Sequence, residues 1–153
     1  MKILIKLILF FFIFIHPASA KIVKPQPKLK PIEVIMIQLE SLKNNNVPYK
    51  DAGIEQTWEF AHPSNKRITG PLKKFKQMLY SESYKILINH ESSKITVLQE
   101  MDNLFVYKVI ITSQNKKKYY YIWQVEKVLN DDSLKNCWMT TSVSNPNYIG
   151  EII

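Results

Sequence analysis

Apolar residues recur every third or fourth position between residues 31 and 79 and every second position between 84 and 143. The first spacing is that of one helix face, the second that of one strand face. In the helical part, Ile32, Ile35, Met36, Leu39 and Leu42 form one stripe that starts at Pro31 and ends before Asn44-Asn45-Asn46 and Pro48. Proline suits the first helical position because it lacks only an N–H that has no partner there. Asp51 stands where an N-cap would open a second helix, whose Ile54, Thr57, Trp58 and Ala61 share a face and which Pro63 stops. Gly70-Pro71 opens a third helix, with Leu72, Phe75, Met78 and Leu79 on its buried side. The stretch from Gly53 to Leu79 thus reads as helix, Pro-stopped corner, helix, and the rest of the chain is arranged about it.

After Tyr84 the pattern predicts strands over 84–89, 94–100, 104–112, 119–129 and 137–143, separated by short polar turns. Such turns between β-branched and aromatic runs imply consecutive antiparallel pairing. Three helices followed by a meander make an α+β domain, with the helices packed on one face of a curved sheet. The expected core includes Leu39, Trp58, Phe60, Phe75, Leu79, Val109, Ile122, Val125 and Met139.

The ends have a different composition. Lys2 and Lys6 flank an apolar run from Ile3 to Ile15, and Ala18-Ser19-Ala20 follows His16-Pro17. A basic start, a short apolar stretch and small residues at −3 and −1 form a secretory signal, cleaved between Ala20 and Lys21. The run is too short for a spanning helix. The expected division is a signal peptide over 1–20, a Lys/Pro-rich mobile tail over 21–30, one domain over 31–144 and a C-terminal tail over 145–153. The mature protein is then exported (periplasmic, extracellular or lumenal) with no membrane span. Losing Lys2 and Lys6 lowers the formal charge from +8 to +6, that is, 19 basic against 13 acidic residues. One cysteine, Cys137, leaves no disulfide within the chain.

Several short words in this order resemble a family catalogued as domain of unknown function number forty-eight sixty-four, within the nuclear-transport-factor-2-like (SnoaL-like) superfold. They are Pro31-Ile32-Glu33-Val34 with Gln38-Leu39, Asp51-Ala52-Gly53-Ile54, and Phe60-Ala61-His62-Pro63 with Asn65-Lys66. Gly70-Pro71-Leu72 with Phe75, Met78 and Tyr84, and Asn136-Cys137-Trp138-Met139, complete the set over residues 31–144. The resemblance implies a cone, a curved sheet around helices, often with a pocket inside. It implies no catalytic residue.

Candidate chemistry is sparse. His62, beside Pro63, reads either as an imidazole at a site or as a cap on the last carbonyls of its helix. Glu55 and Glu59 lie four apart on one helix face and read as a solvated edge; His90 lies at a strand end and reads as exposed. Two histidines and one cysteine without zinc spacing predict no metal, and no cofactor motif is present. Lys116-Lys117-Lys118 before Tyr119-Tyr120-Tyr121 has the look of a basic, stacking surface, but lysines also protect a sheet edge, and no nucleic-acid partner is expected. Tyr119, Tyr121 and Trp123 share one strand face, and Phe105 and Tyr107 share a face of its neighbour. Aromatic side chains with polar tips suit a half-wet pocket or an interface.

Three functions follow. One is a non-catalytic domain that binds a small apolar or aromatic ligand between the second and third helices and the sheet. Its candidate residues are His62, Asn65, Tyr84, Tyr121, Trp123 and Trp138, with His62 expected to share a cavity with Tyr84 or Trp123. The second is an isomerase- or dehydratase-like enzyme with an acid–base residue in the same pocket. The third is an interaction module that forms a homodimer through its open sheet face.

Overall fold

The computed structural model describes residues 22–151. Helices α1 (Pro31–Lys43), α2 (Ala52–Glu59), α3 (Pro63–Thr69) and α4 (Leu72–Leu79) precede a 3-10 turn at Lys85–Leu87. Strands β1 (Ser92–Met101), β2 (Leu104–Thr112), β3 (Lys117–Lys127), β4 (Trp138–Val143) and β5 (Asn147–Glu151) follow. The result is an α+β domain with a curved, antiparallel five-stranded sheet in the order β1-β2-β3-β4, β5 also pairing with β3. The far edge of β3 is shared: β4 takes Trp123–Lys127 and β5 takes Lys117–Tyr120. None of the helices among the described residues is long and apolar enough to cross a membrane. The expected signal segment and the Ala20–Lys21 bond lie outside the described residues.

The sheet register explains the core. Tyr107 pairs with Trp123 and Val109 with Tyr121, and all four are buried together beneath Val34, Ile35, Leu39, Ile54 and Phe60. The alternate pairs, Lys108–Ile122 and Ile110–Tyr120, point the other way because successive strand residues face opposite sides. Ile122, expected in the core, is therefore half-exposed on the outer face. Trp58 is half-buried at the core margin, 5.0 Å from the Phe75 ring, with the Lys66 ammonium 5.2 Å from its own ring centre. Met139 sits in a separate small cluster with Val128 and Cys137, where burial pushes the Cys137 thiol up.

The helices meet through one small residue. A Cβ on Gly53 would lie 2.0 Å from the Ser41 carbonyl oxygen and 2.8 Å from the Asn45 Cα, so glycine lets α2 cross α1 backbone to backbone. Asn45, buried in that crossing, accepts from the Ile54 N–H at 3.0 Å. It performs the capping expected of Asp51, which instead adopts φ 66° and makes no cap hydrogen bond. The Asp51 carboxylate accepts from the Tyr80 hydroxyl and lies 3.8 Å from the Lys76 ammonium, tying α2 to α4.

Four other expectations are corrected. The corner after Pro63 is itself a helix, α3, so four helices stand where three were expected. Residues 84–89 form a turn rather than a strand, with successive bonds from Leu87 N–H to Tyr84 O and Ile88 N–H to Lys85 O. The segment after residue 144 is not a tail but carries β5. His90 is buried, 2% exposed, with Nδ1 2.8 Å from the Leu87 carbonyl oxygen.

In the segment 21–30, read as a mobile tail, Val23 and Lys24 are bonded to α2. The Gln56 amide grips Val23 from both sides, accepting from its N–H at 2.7 Å and donating to its carbonyl at 2.8 Å, and Lys24 pairs with Glu59 at 2.8 Å.

Candidate functional site

The break between α2 and α3 builds the site. After α2 ends at the Phe60 cap, the chain bonds to β4 around Ala61: Thr140 N–H donates to Phe60 O, and His62 N–H to Thr140 O, both at 2.8 Å. This isolated parallel bridge leaves α3 leaning over the inner face of the sheet. A cavity of about 240 Å³ lies beneath it. Its roof is Asn65, Ile68 and Thr69 of α3, residues at the three- and four-residue spacing of one helix face. Phe75, Met78 and Leu79 of α4 form one apolar wall, and Trp123 with Val143 forms the floor.

A buried hydrogen-bond relay crosses the cavity's inner end. Trp123 Nε1 donates to Thr140 Oγ1 at 3.0 Å, and Thr140 Oγ1 donates to Gln38 Oε1 at 2.6 Å. Gln38 Nε2 then donates to the Thr57 carbonyl at 3.1 Å. Buried polar groups are costly unless each donor and acceptor is paired, and here each member uses the next. Asn65 is also engaged: its Nδ2 donates to Thr140 O at 3.3 Å and its Oδ1 accepts from Thr69 Oγ1 at 3.2 Å. Tyr84 donates to Val143 O at 3.0 Å, and burial raises its phenol pKa. The polar atoms of the wall are therefore occupied with one another, and the surface offered to a ligand is mainly apolar.

Among the six candidates, Asn65, Tyr84 and Trp123 line this one cavity. His62, Tyr121 and Trp138 do not. His62 contradicts the expectation that it shares the cavity, because the bridge to β4 turns Ala61 inward and carries His62 past the wall. It also caps the opposite helix end from the one expected. His62 Nδ1 accepts from Ser64 N–H at 3.1 Å and lies 2.7 Å from Ser64 Oγ, which makes it the N-cap of α3. An accepting Nδ1 requires the neutral ring. Burial lowers the His62 pKa, and nearby Arg67 lowers it further against the opposing pull of Glu126. Tyr121 is buried behind the cavity, its hydroxyl donating to Ser83 O at 3.0 Å and its ring stacked on Tyr84 at 6.5 Å. Trp138 packs edge-on against Phe105 at 5.3 Å, away from the site.

Sequence reasoning missed Gln38, Thr57 and Thr140. Gln38 is a polar residue next to Leu39 in the buried stripe of α1, which is the one signal that marks it. Its partner Thr140 is 102 residues away, and no local pattern pairs them. Three larger clefts are built differently, among them one of about 280 Å³ on the sheet beside Ser92, Lys94 and Lys118. One of about 310 Å³ beside α1 and α2 is bordered by Glu40, Asn44 and Tyr49; another of about 630 Å³ is bordered by Glu82, Lys85 and Gln114. All three are more open to solvent than the cavity under α3, with polar and apolar residues mixed along their rims.

Comparison with protein-family models, with curated proteins and with solved structures finds no match to this chain.

Proposed function

We propose that this protein is an exported, non-catalytic binding domain of the nuclear-transport-factor-2-like kind, which holds a small apolar or aromatic ligand under α3. The observation that carries this reading is the cavity of about 240 Å³ whose polar wall atoms already have partners. Small-molecule sites are commonly concave and mostly apolar, with few polar groups. A wall that has satisfied its own hydrogen bonds gains most from a guest that brings apolar surface, at about 25 cal/mol per Å² removed from water.

An isomerase- or dehydratase-like reaction has less support. General acid–base catalysis needs a group that exchanges a proton near the operating pH within reach of the reacting atom. The titratable side chain in this wall is Tyr84, whose proton is donated to Val143 O and whose pKa is raised by burial.

The test is titration of the protein with the uncharged fluorescent probe phenylnaphthylamine, beside an Ala61→Leu variant that fills the cavity from its wall. Saturable binding by the parent chain and loss of it in a folded variant support the reading. Equal binding by both would place the probe elsewhere and reject the cavity as its site.

A further inference from the structure

The mouth of the cavity is marked by Ile68, which lines it and yet is 74% exposed. The segment carrying that mouth, residues 64–79, holds five cations (Lys66, Arg67, Lys73, Lys74 and Lys76) and no carboxylate. Lys76 pairs with Glu55 and Asp51 on α2, and Lys66 leans on the Trp58 ring. Among the described residues, no carboxylate lies within ion-pair distance of Arg67, Lys73 or Lys74. Lys74 reaches back to the mouth itself, its ammonium donating to the Ile68 carbonyl oxygen at 3.1 Å. Arg67 is the sequence neighbour of Ile68 and is exposed.

A mainly apolar chamber, with Lys74 bonded to the backbone of its mouth and the exposed Arg67 one residue away in sequence, both without a carboxylate partner among the described residues, is complementary to one kind of molecule. We infer that the ligand is an anionic amphiphile, its alkyl chain under α3 and its charged head at Arg67 and Lys74. This rests on the cavity reading above and adds the head group to it. The chamber offers the space of about eight water molecules at ~30 Å³ each, and a methylene is of similar size, so a chain of roughly eight to ten carbons fills it. The polar wall atoms are already paired and give a head group nothing inside, so it must stay at the mouth. There a carboxylate or phosphate meets the guanidinium and the ammonium.

The experiment compares three molecules with the same chain, decanoate, decanol and decylamine, by calorimetric titration of the full chain below their aggregation concentrations. An exposed ion pair is worth up to about fivefold in affinity, so two cations favour decanoate over decanol by about tenfold, with decylamine weakest. Arg67→Glu combined with Lys74→Glu should reverse the order of decanoate and decylamine and leave decanol unchanged. The neutral pair Arg67→Gln with Lys74→Gln, which should bring decanoate down to decanol, serves if the reversed variant does not fold. Equal affinity for decanoate and decanol in the parent chain overturns the head-group assignment while the cavity stands. Failure of all three molecules together with phenylnaphthylamine overturns the cavity as well. A second arm separates free amphiphile from bilayer lipid, using flotation with phosphatidylglycerol or phosphatidylcholine vesicles. Decanoate binding without flotation identifies a free anion; flotation with phosphatidylglycerol alone, lost in the charge variants, identifies an anionic lipid.

Discussion

Replacing Thr140 by valine keeps the shape of the side chain and removes the hydroxyl at the centre of the buried relay. Two groups lose their partner at once. Trp123 Nε1 loses its acceptor at 3.0 Å, and Gln38 Oε1 loses its donor at 2.6 Å. Trp123 and Gln38 are each 1% exposed, and both line the inner end of the cavity, so the only water that can stand in for the hydroxyl is one held in that cavity, and such a water would recover part of the cost. An unsatisfied buried group costs about 1–3 kcal/mol, so two of them put Thr140→Val at about 2–6 kcal/mol of lost stability, toward the lower end where a water in the cavity takes up one of the bonds. Thr140→Ser keeps the hydroxyl and loses one methyl, at about 1 kcal/mol. Urea unfolding with linear extrapolation measures both, provided the slope is the same in the two variants and the parent. The valine variant should therefore be the less stable of the two. A valine variant as stable as the serine variant would refute the relay as a structural element.

Three further outcomes follow from the same contacts. His62→Ala should cost about 0.5–1 kcal/mol through loss of the α3 N-cap and leave ligand affinity unchanged, as thermal melts and probe titration run side by side will show. His62 and His90 both have folded pKa values lowered from 6.5, each chiefly by burial. The unfolded chain then binds more protons than the folded one below that value, so their contribution is complete above about pH 6.5 and is lost as pH falls through the folded pKa values. Unfolding midpoints measured from pH 7.5 down to pH 5 should fall more steeply for the parent than for a His62→Gln/His90→Gln variant; parallel curves would remove the histidines from the explanation. Gly53→Ala should cost at least about 2 kcal/mol, because the added Cβ meets the Ser41 carbonyl at 2.0 Å and helix backbones cannot yield as a side chain can. A variant within 0.5 kcal/mol of the parent, roughly the range of neutral surface changes, would mean the crossing of α1 and α2 is looser than described.

The helical stripes and strands β2 and β3 were legible because each has a buried face whose period survives in the sequence; β1, with none of its ten residues buried, was legible instead as a β-branched run set off by the turn before Leu104. Leu39 in α1, Phe75 in α4 and Val109 in β2 are buried where the period puts them. What escaped was structure without a buried face. None of the side chains of α3 is fully buried, so Pro63–Thr69 carries no stripe and reads as a corner. Strand β5 is an edge of five residues with Tyr148 and Ile149 exposed, and its pairing with β3 leaves no alternation to detect. Ile122 was assigned to the core because its strand is apolar on both faces, and only pairing with Lys108 fixes which face is outside. Of the site, the aromatic floor was visible as Trp123, and the α3 roof as Asn65. The Gln38–Thr140 bond was not, since it joins the first helix to the fourth strand.

The most direct test of the central claim is native mass spectrometry of the protein purified from its own source under non-denaturing conditions. A ligand held under α3 predicts a population heavier than the bare chain by one small-molecule mass, released by mild activation and absent from the Ala61→Leu variant. A single species at the bare chain mass in both proteins, with phenylnaphthylamine bound by neither, would contradict a ligand-binding function for this cavity.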